Sequence, residues 1–337
     1  MRSVGVLGAG SFGTALAAHA AAGERDVVLW SRRDDLALTI SREGINPEYL
    51  PGVPLPARLR ATADLADLAE SELVIVAVPS HGFRQTVRDF LAVHPGHAPV
   101  RLISATKGIE VDTQARMSQV AFEEGIAADR EVCFAVLSGP SFAIELAQGM
   151  ATAVVIAASE PELATLVQAE LSSRVLRLYS SGDVVGVELG GAVKNVIAIA
   201  AGVVSGLGLG HNTLAALITR GLHEITRLGI AYGGQPRTFA GLAGLGDLVL
   251  TCTGALSRNR RAGTLLAQGQ SVAEITSGTS MVAEGINSSL AIVGLAARKH
   301  VEMPITEQVG AILHHGKEAR SALADLMGRE LKSEAEL

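Results

Sequence analysis

Gly8-Ala9-Gly10-Ser11-Phe12-Gly13 stands between a short β-rich run, Ser3–Leu7, and an Ala-rich helical stretch, Thr14–Ala22. Strand, glycine turn and helix in that order are the context in which G-x-G-x-x-G acquires meaning. Gly8 permits the tight turn, Gly10 lets the backbone approach a pyrophosphate, and Gly13 lets helix and strand pack closely. The helix start offers unpaired N–H groups to phosphate oxygens. The segment reads as a dinucleotide-binding loop; a glycine turn that only packs helix on strand is the plain alternative.

The residues beyond this loop favour a layered α/β fold. Val27–Trp30, the continuous apolar run at 73–79, Arg101–Ser104, Val132–Val136 and Ala151–Ala158 read as strands, and Asp64–Ala69 reads as helical. Strand–helix alternation at this pitch predicts a parallel sheet covered by helices. Near residue 185 the pattern changes and long helical periods take over. The expected class is α/β plus all-α. A Rossmann-like, doubly wound sheet occupies residues 1–187 and a C-terminal helical substrate domain occupies 188–337. A length of 337 residues suits two domains.

The chain carries 28 Lys and Arg against 34 Asp and Glu, a net charge of −6, which argues against broad nucleic-acid binding. Its longest apolar stretch, Val196–Gly210, is 15 residues and is interrupted by glycines. A spanning helix needs ~20 apolar residues, so a buried helix and no stable membrane insertion are expected. No signal-peptide pattern opens the chain. Cys133 and Cys252 have no CxxC or metal-ligand spacing. A cytoplasmic protein with reduced thiols and no metal is the expectation. The Ala- and Gly-rich helical part is compatible with a homodimer.

Several residues could carry chemistry. The second strand ends in Ser31-Arg32-Arg33 where a strict NAD enzyme usually has an acidic residue. The arginines could receive the 2′-phosphate of NADP, or be solvated surface charges; Asp34 and Asp35 leave NAD open. Lys107 follows a strand, where ligands of such folds bind, though it could be an ordinary loop lysine. Ser138-Gly139-Pro140-Ser141-Phe142-Ala143 resembles an anion-binding turn opening a helix with Ser141 as its cap, or a plain helix start. Lys194 sits in an otherwise small and apolar helix, where it either snorkels to water or is held for function. Burial there would lower its pKa toward a range useful for proton transfer. Gly190 and Gly191 just before it imply a close approach. Asp247 caps the next helix, orients Lys194 or accepts from a substrate hydroxyl. Ser257 reads as an N-cap, and with Arg258 could cradle a phosphate.

Taken together, GAGSFGTALA, LWSRR, ATKGIE, LSGPSFA, GAVKNVIAIAAG, GLAGLGDLVLTC, SRNRRAG, VAEG and MPITEQV resemble, in order and spacing, the bacterial NAD(P)-dependent glycerol-3-phosphate dehydrogenases. The resemblance covers residues 2–328. It implies an oxidoreductase that reversibly reduces dihydroxyacetone phosphate to sn-glycerol 3-phosphate for glycerophospholipid synthesis, using NADP or NAD. It places Ser11, Phe12, Arg32, Arg33 and Ala143 on the cofactor, beside Gly8, Gly10 and Gly13. Lys107 falls where cofactor and substrate meet. Gly139, Ser141, Asp247, Ser257, Arg258 and Asn259 fall on the substrate side, and Lys194 matches the proton donor. Arg258, Val282 and Glu284 also reach the cofactor. Phe12 stands where many relatives carry Trp, which implies a change of packing only. A related two-domain 3-hydroxy-acid or ketopantoate-type dehydrogenase and a non-catalytic dinucleotide sensor are the competing readings.

Overall fold

The computed structural model describes residues 3–23, 25–96, 98–277, 283–331 and 333–334. The chain forms two compact units. The first holds Met1–Lys107 and Ala115–Val184; the second holds Gly108–Gln114 and Val185–Leu337. The border expected after residue 187 therefore falls at the start of the long Val184–Gly206 helix. The short segment 108–114 joins the second unit because Ile109 is fully buried in that unit's core.

The first unit is one eight-stranded sheet. Its strands are β1 (Val4–Leu7), β2 (Val27–Trp30), β3 (Leu59–Thr62), β4 (Leu73–Val76), β5 (Val100–Ser104), β6 (Val132–Ser138), β7 (Thr152–Ala158) and β8 (Leu176–Ser181). They lie in the order β3-β2-β1-β4-β5-β6-β7-β8. The direction of winding reverses at β1, between β2 and β4, as at the switch point of doubly wound dinucleotide folds. β4 is buried along its whole length, as its unbroken apolar run predicts.

Two expectations need correction. The sheet is mixed: β7 runs antiparallel to β6, and β8 follows β7 in parallel. Residues 139–151 contain only the short helix Ala143–Ala147, which packs on the helix Ser11–Ala22 instead of crossing over the sheet. The chain then turns back. The strands β3 and β8 are also additional to those expected from sequence. Both are edge strands whose apolar residues alternate with exposed ones: Leu59 and Ala61 around Arg60, Leu176 and Leu178 around Arg177. Four to six residues of half-polar alternation give a weak signal.

The second unit is helical. Val184–Gly206 is long and apolar enough to cross a membrane, but 89% of its most apolar window is buried. Its core gathers Val193, Val196, Ile197 and Ile199 with Leu248, Ile286 and Ile292. The helix Arg258–Ala267 lies directly against the long helix. A Cβ on Gly202 would come within 1.9 Å of Arg260 O, and one on Gly263 within 1.9 Å of Ile199 O. Only glycine at both crossing points permits that approach. A Cβ on Gly190 would fall 2.8 Å from Ala243 O, which accounts for the first glycine of the pair before Lys194.

Candidate active site

The first unit contributes a glycine turn that opens a helix. Gly8 has φ +116°, a conformation that disfavours side chains, and a Cβ on Gly13 would lie 2.0 Å from Gly8 O. Both glycines are demanded by the turn itself. Gly10 differs, since a Cβ there would meet nothing within 4 Å. It occupies the N-cap position of the Ser11–Ala22 helix, and no side chain caps that end. Open space over a glycine backbone at a helix start fits the pyrophosphate of a dinucleotide.

Lys107 joins this loop to the Gly139 turn. Its ammonium donates to Gly139 O at 2.9 Å and stands 5.9 Å from the centroid of the Phe12 ring. Ser141 does not cap the next helix. Its hydroxyl donates to Gly139 O at 3.0 Å, and the Ala143–Ala147 helix takes Phe142 as an N-cap with no side-chain bond. Gly139 itself has φ +144° and packs on Val154, so its carbonyl is presented to both donors. Ala143 opens the helix that docks on Ser11–Ala22.

The two arginines after β2 have different surroundings. The Arg33 guanidinium makes two bonds to Asp35, at 3.1 and 2.6 Å, and one to Glu48 at 2.6 Å. These carboxylates raise its pKa further, and the guanidinium lowers that of Asp35. Arg32 is exposed and makes no ion pair among the described residues.

The second unit holds a buried ionic cluster. Lys194 is 5% exposed and Asp247 1%. The Lys194 ammonium donates to Asp247 Oδ1 and, at 2.9 Å, to Thr251 Oγ1. Thr251 in turn donates to the Asp247 carbonyl at 2.6 Å. Asp247 is the first helical residue of Asp247–Thr253, whose N-cap is Gly246 without a side-chain bond. The Asp247 carboxylate is thus bonded to the Lys194 ammonium. Thr251 is a member of the cluster that sequence reasoning does not single out. Its signal is the spacing from Asp247 by one helical turn, which is legible only once Asp247 is tied to Lys194. Burying a charged pair is favourable only when further hydrogen bonds complete it, and Thr251 supplies one.

Beside this cluster, Ser257 caps the Arg258–Ala267 helix by accepting the Arg260 N–H at 3.2 Å. Arg258 is exposed at the first helical position, with Glu284 in electrostatic reach. Asn259 is buried. Its Oδ1 accepts the Gly285 N–H at 2.9 Å and its Nδ2 donates to Asn195 Oδ1 at 2.9 Å. One amide thus ties the Ser257–Arg258 turn to the residue after Lys194 and to the residue after Glu284. Val282 lies outside the described residues.

Both units match known families. A model described as the NAD-dependent glycerol-3-phosphate dehydrogenase N-terminus matches residues 3–164, and the corresponding C-terminus model matches residues 183–324. The chain is 49% identical to a glycerol-3-phosphate dehydrogenase [NAD(P)+] of Geobacter sulfurreducens, covering 98% of each chain. It is 48% identical to the protein of that name from Myxococcus xanthus over 98% of each. A crystal structure of glycerol-3-phosphate dehydrogenase from Coxiella burnetii superposes with a TM-score of 0.92 at 38% identity, covering 97% of this chain and 99% of that one. A ketopantoate reductase from Ralstonia eutropha, at 16% identity and TM-score 0.60, shares the fold alone. This chain belongs to the NAD-dependent glycerol-3-phosphate dehydrogenase family.

Proposed function

We propose that this protein reduces dihydroxyacetone phosphate to sn-glycerol 3-phosphate with NADPH or NADH, and that Lys194 is the proton donor. The observation that carries the reading is the buried Lys194–Asp247–Thr251 cluster, whose lysine lies in an otherwise small and apolar stretch of helix. The nicotinamide, when bound, supplies the hydride to the C2 carbonyl carbon. Negative charge then grows on the carbonyl oxygen, and an ammonium held in a low-dielectric site stabilises it and donates the proton.

The surrounding residues hold Lys194 ready. Asp247 and Thr251 fix the direction of its N–H bonds, so little reorganisation is needed during reaction. Ser257 and Arg258 present a helix start and a guanidinium to the phosphate, whose anchoring positions the carbonyl. Asn259 holds that anchor in register with Lys194, since both ends of its amide bond protein groups. Lys107, Gly139 and Ser141 form a bonded set that would orient the nicotinamide and substrate. Gly8, Gly10, Ser11, Phe12, Gly13, Arg32, Ala143 and Glu284 are the proposed cofactor contacts. Arg33 is a weaker candidate for the 2′-phosphate, because it is already paired with two carboxylates. A cytoplasmic location accords with the two free thiols, Cys133 and Cys252.

The test is initial-rate oxidation of NADPH and of NADH with dihydroxyacetone phosphate and with unphosphorylated dihydroxyacetone. Turnover of the phosphate ester alone supports the reading. Cofactor binding with no turnover of either would favour a sensor or another keto substrate.

A further inference from the structure

One buried side chain holds the glycine loop from outside it. Asn46 follows the helix Asp34–Glu43 and is 0% exposed. Its Nδ2 donates to Ala9 O at 2.9 Å and to Thr14 Oγ1 at 2.9 Å. Its Oδ1 accepts the Tyr49 N–H at 3.1 Å, and its own carbonyl accepts the Leu50 N–H at 3.0 Å. A backbone carbonyl can only accept, so the amide nitrogen is the end that faces Ala9. Both amide hydrogens and the amide oxygen are engaged, as a fully buried amide requires. Two of these bonds reach back 37 and 32 residues, to the turn between β1 and the helix Ser11–Ala22.

Ala9 belongs to neither β1 nor that helix. Its carbonyl finds side-chain partners: Asn46 Nδ2 and, at 3.3 Å, the Thr14 hydroxyl. Thr14 is fully buried, and the oxygen that donates to Ala9 also accepts from Asn46. Ala9, Thr14 and Asn46 thus close a ring of hydrogen bonds on the inner side of the loop. A trans peptide carries its C=O and N–H on opposite sides. With the Ala9 carbonyl turned inward, the N–H of Gly10 on the same peptide is turned outward. Gly10 is half-buried and is the N-cap of a helix end that no side chain caps.

The local backbone does not forbid the opposite orientation. Turning the Ala9–Gly10 peptide over changes ψ of Ala9 and φ of Gly10, and glycine accepts either sign of φ. The reversed peptide would aim a carbonyl oxygen at a pyrophosphate over Gly10, where the helix start otherwise offers donors. The choice between an attractive and a repulsive peptide therefore falls to the groups that hold Ala9 O.

We propose that Asn46 is a positioning residue for the cofactor: it locks the Ala9–Gly10 peptide with its N–H toward the pyrophosphate of NAD(P)H. Being closed to solvent, it acts through the loop and touches no cofactor atom. The role presupposes the cofactor site proposed above at the glycine loop. NADH and NADPH carry the same pyrophosphate, so Asn46 serves both alike, in contrast to Arg32.

The test is fluorescence titration of NADH and of NADPH into the full-length protein and its variants, beside steady-state rates with dihydroxyacetone phosphate. Asn46→Ala should weaken both cofactors by one factor, roughly tenfold, as for loss of a buried hydrogen bond. The kcat at saturating cofactor and the KM for dihydroxyacetone phosphate should stay those of the parent. Asn46→Asp adds a readout that packing alone does not move. Its carboxylate meets Ala9 O with lone pairs only, and protonation restores one donor. Burial raises a carboxyl pKa, so its cofactor affinity should recover toward the parent's between about pH 8 and about pH 6. The parent, titrated alongside, accounts for the Glu48–Arg33 ion pair of the same turn. Thr14→Val should cause a smaller loss, equal for both cofactors, and Thr14→Ser should restore affinity. Ser41→Ala, which loses two bonds to Ala61 and none to the loop, should lower Tm with cofactor affinity intact. Parental affinity in a folded Asn46→Ala protein would overturn the proposal, as would an equal loss of affinity in Ser41→Ala. Should the Asn46 variants not fold, parental affinity in Thr14→Val would overturn it. A parent that binds neither cofactor would overturn the cofactor assignment itself, and this role with it.

Discussion

Thr251 Oγ1 accepts the Lys194 ammonium at 2.9 Å while donating to the Asp247 backbone carbonyl at 2.6 Å. The hydroxyl's one proton is committed to that carbonyl, so its lone pair must face Lys194. Lys194→Ala should lower kcat by roughly 10²–10⁴-fold, the usual contribution of a positioned acid or base. NADPH affinity should change little. Loss of cofactor binding with the chemical step intact would remove Lys194 from its assigned role.

Thr251→Val keeps the shape and removes the acceptor. Its kcat should fall about tenfold or more, in line with a hydrogen bond to a charged group. The pH profile of kcat should move with it, because the ammonium has lost a stabilising partner. Thr251→Ser should restore both. An unchanged pH profile in Thr251→Val would reduce Thr251 to a packing residue.

Arg32 and Arg33 are adjacent in sequence but not equivalent. Arg32→Ala should weaken NADPH more than NADH, measured as separate Kd values by fluorescence titration. Arg33→Ala should have the smaller effect on that ratio, because Asp35 and Glu48 already hold its guanidinium. Equal effects of Arg32→Ala on the two cofactors would exclude it from 2′-phosphate recognition.

Gly10→Ala and Gly13→Ala separate binding from folding. The Gly13 Cβ would collide with Gly8 O, so that variant should lose stability, visible as a lower Tm. The Gly10 Cβ meets nothing, so the variant should melt like the parent but bind NAD(P)H much more weakly. A Gly10→Ala protein with unchanged cofactor affinity would contradict the pyrophosphate placement.

Glu224 gives a pH-dependent prediction. Burial pushes its carboxyl from the ordinary 4.5 up to about 7, against the bonds from Ile305 and Thr306. With the folded-state value above the unfolded one, the folded protein holds the extra proton between those limits. Stability from this group is thus fully present below about pH 4.5 and lost as pH rises through about 7. Chemical denaturation of Glu224→Gln and parent across that window should show the parent losing stability relative to the variant as pH increases. A difference that stays flat with pH would show that the carboxylate titrates normally.

How much of the fold and site is legible in the sequence depends on the kind of signal. The glycine loop, β4 and the helical second half declare themselves through local pattern, since each is set by backbone conformation or by burial on all sides. β3 and β8 escape notice because an edge strand needs only alternate apolar residues. The reversal at β7 is hidden because strand direction depends on where residues 139–151 dock. Among site residues, Lys194 stands out as a charge in an apolar helix, and Ser257 as a cap before a helical run. The bonding of Asn259 to Asn195 and Gly285 joins residues 64 and 26 positions away in the chain, and no local rule reaches that far. The pairing of Arg33 with Glu48 is hidden for the same reason.

The meeting of Gly202 with Arg260 O and of Gly263 with Ile199 O has a bearing on how this site can change. Two hydrogen atoms, where every other amino acid has carbon, set the separation between the helix that carries Lys194 and the helix that starts at Ser257 and Arg258. Adding one methyl group at either crossing would prise the helices apart and move Ser257 and Arg258, the proposed phosphate anchor, away from Lys194, the proposed proton donor. On the proposed reading, the distance a substrate must span is governed at the helix crossing and not by the groups that would bind it. A variant that accepts a longer or shorter phosphorylated ketone could arise there with every reacting group left in place.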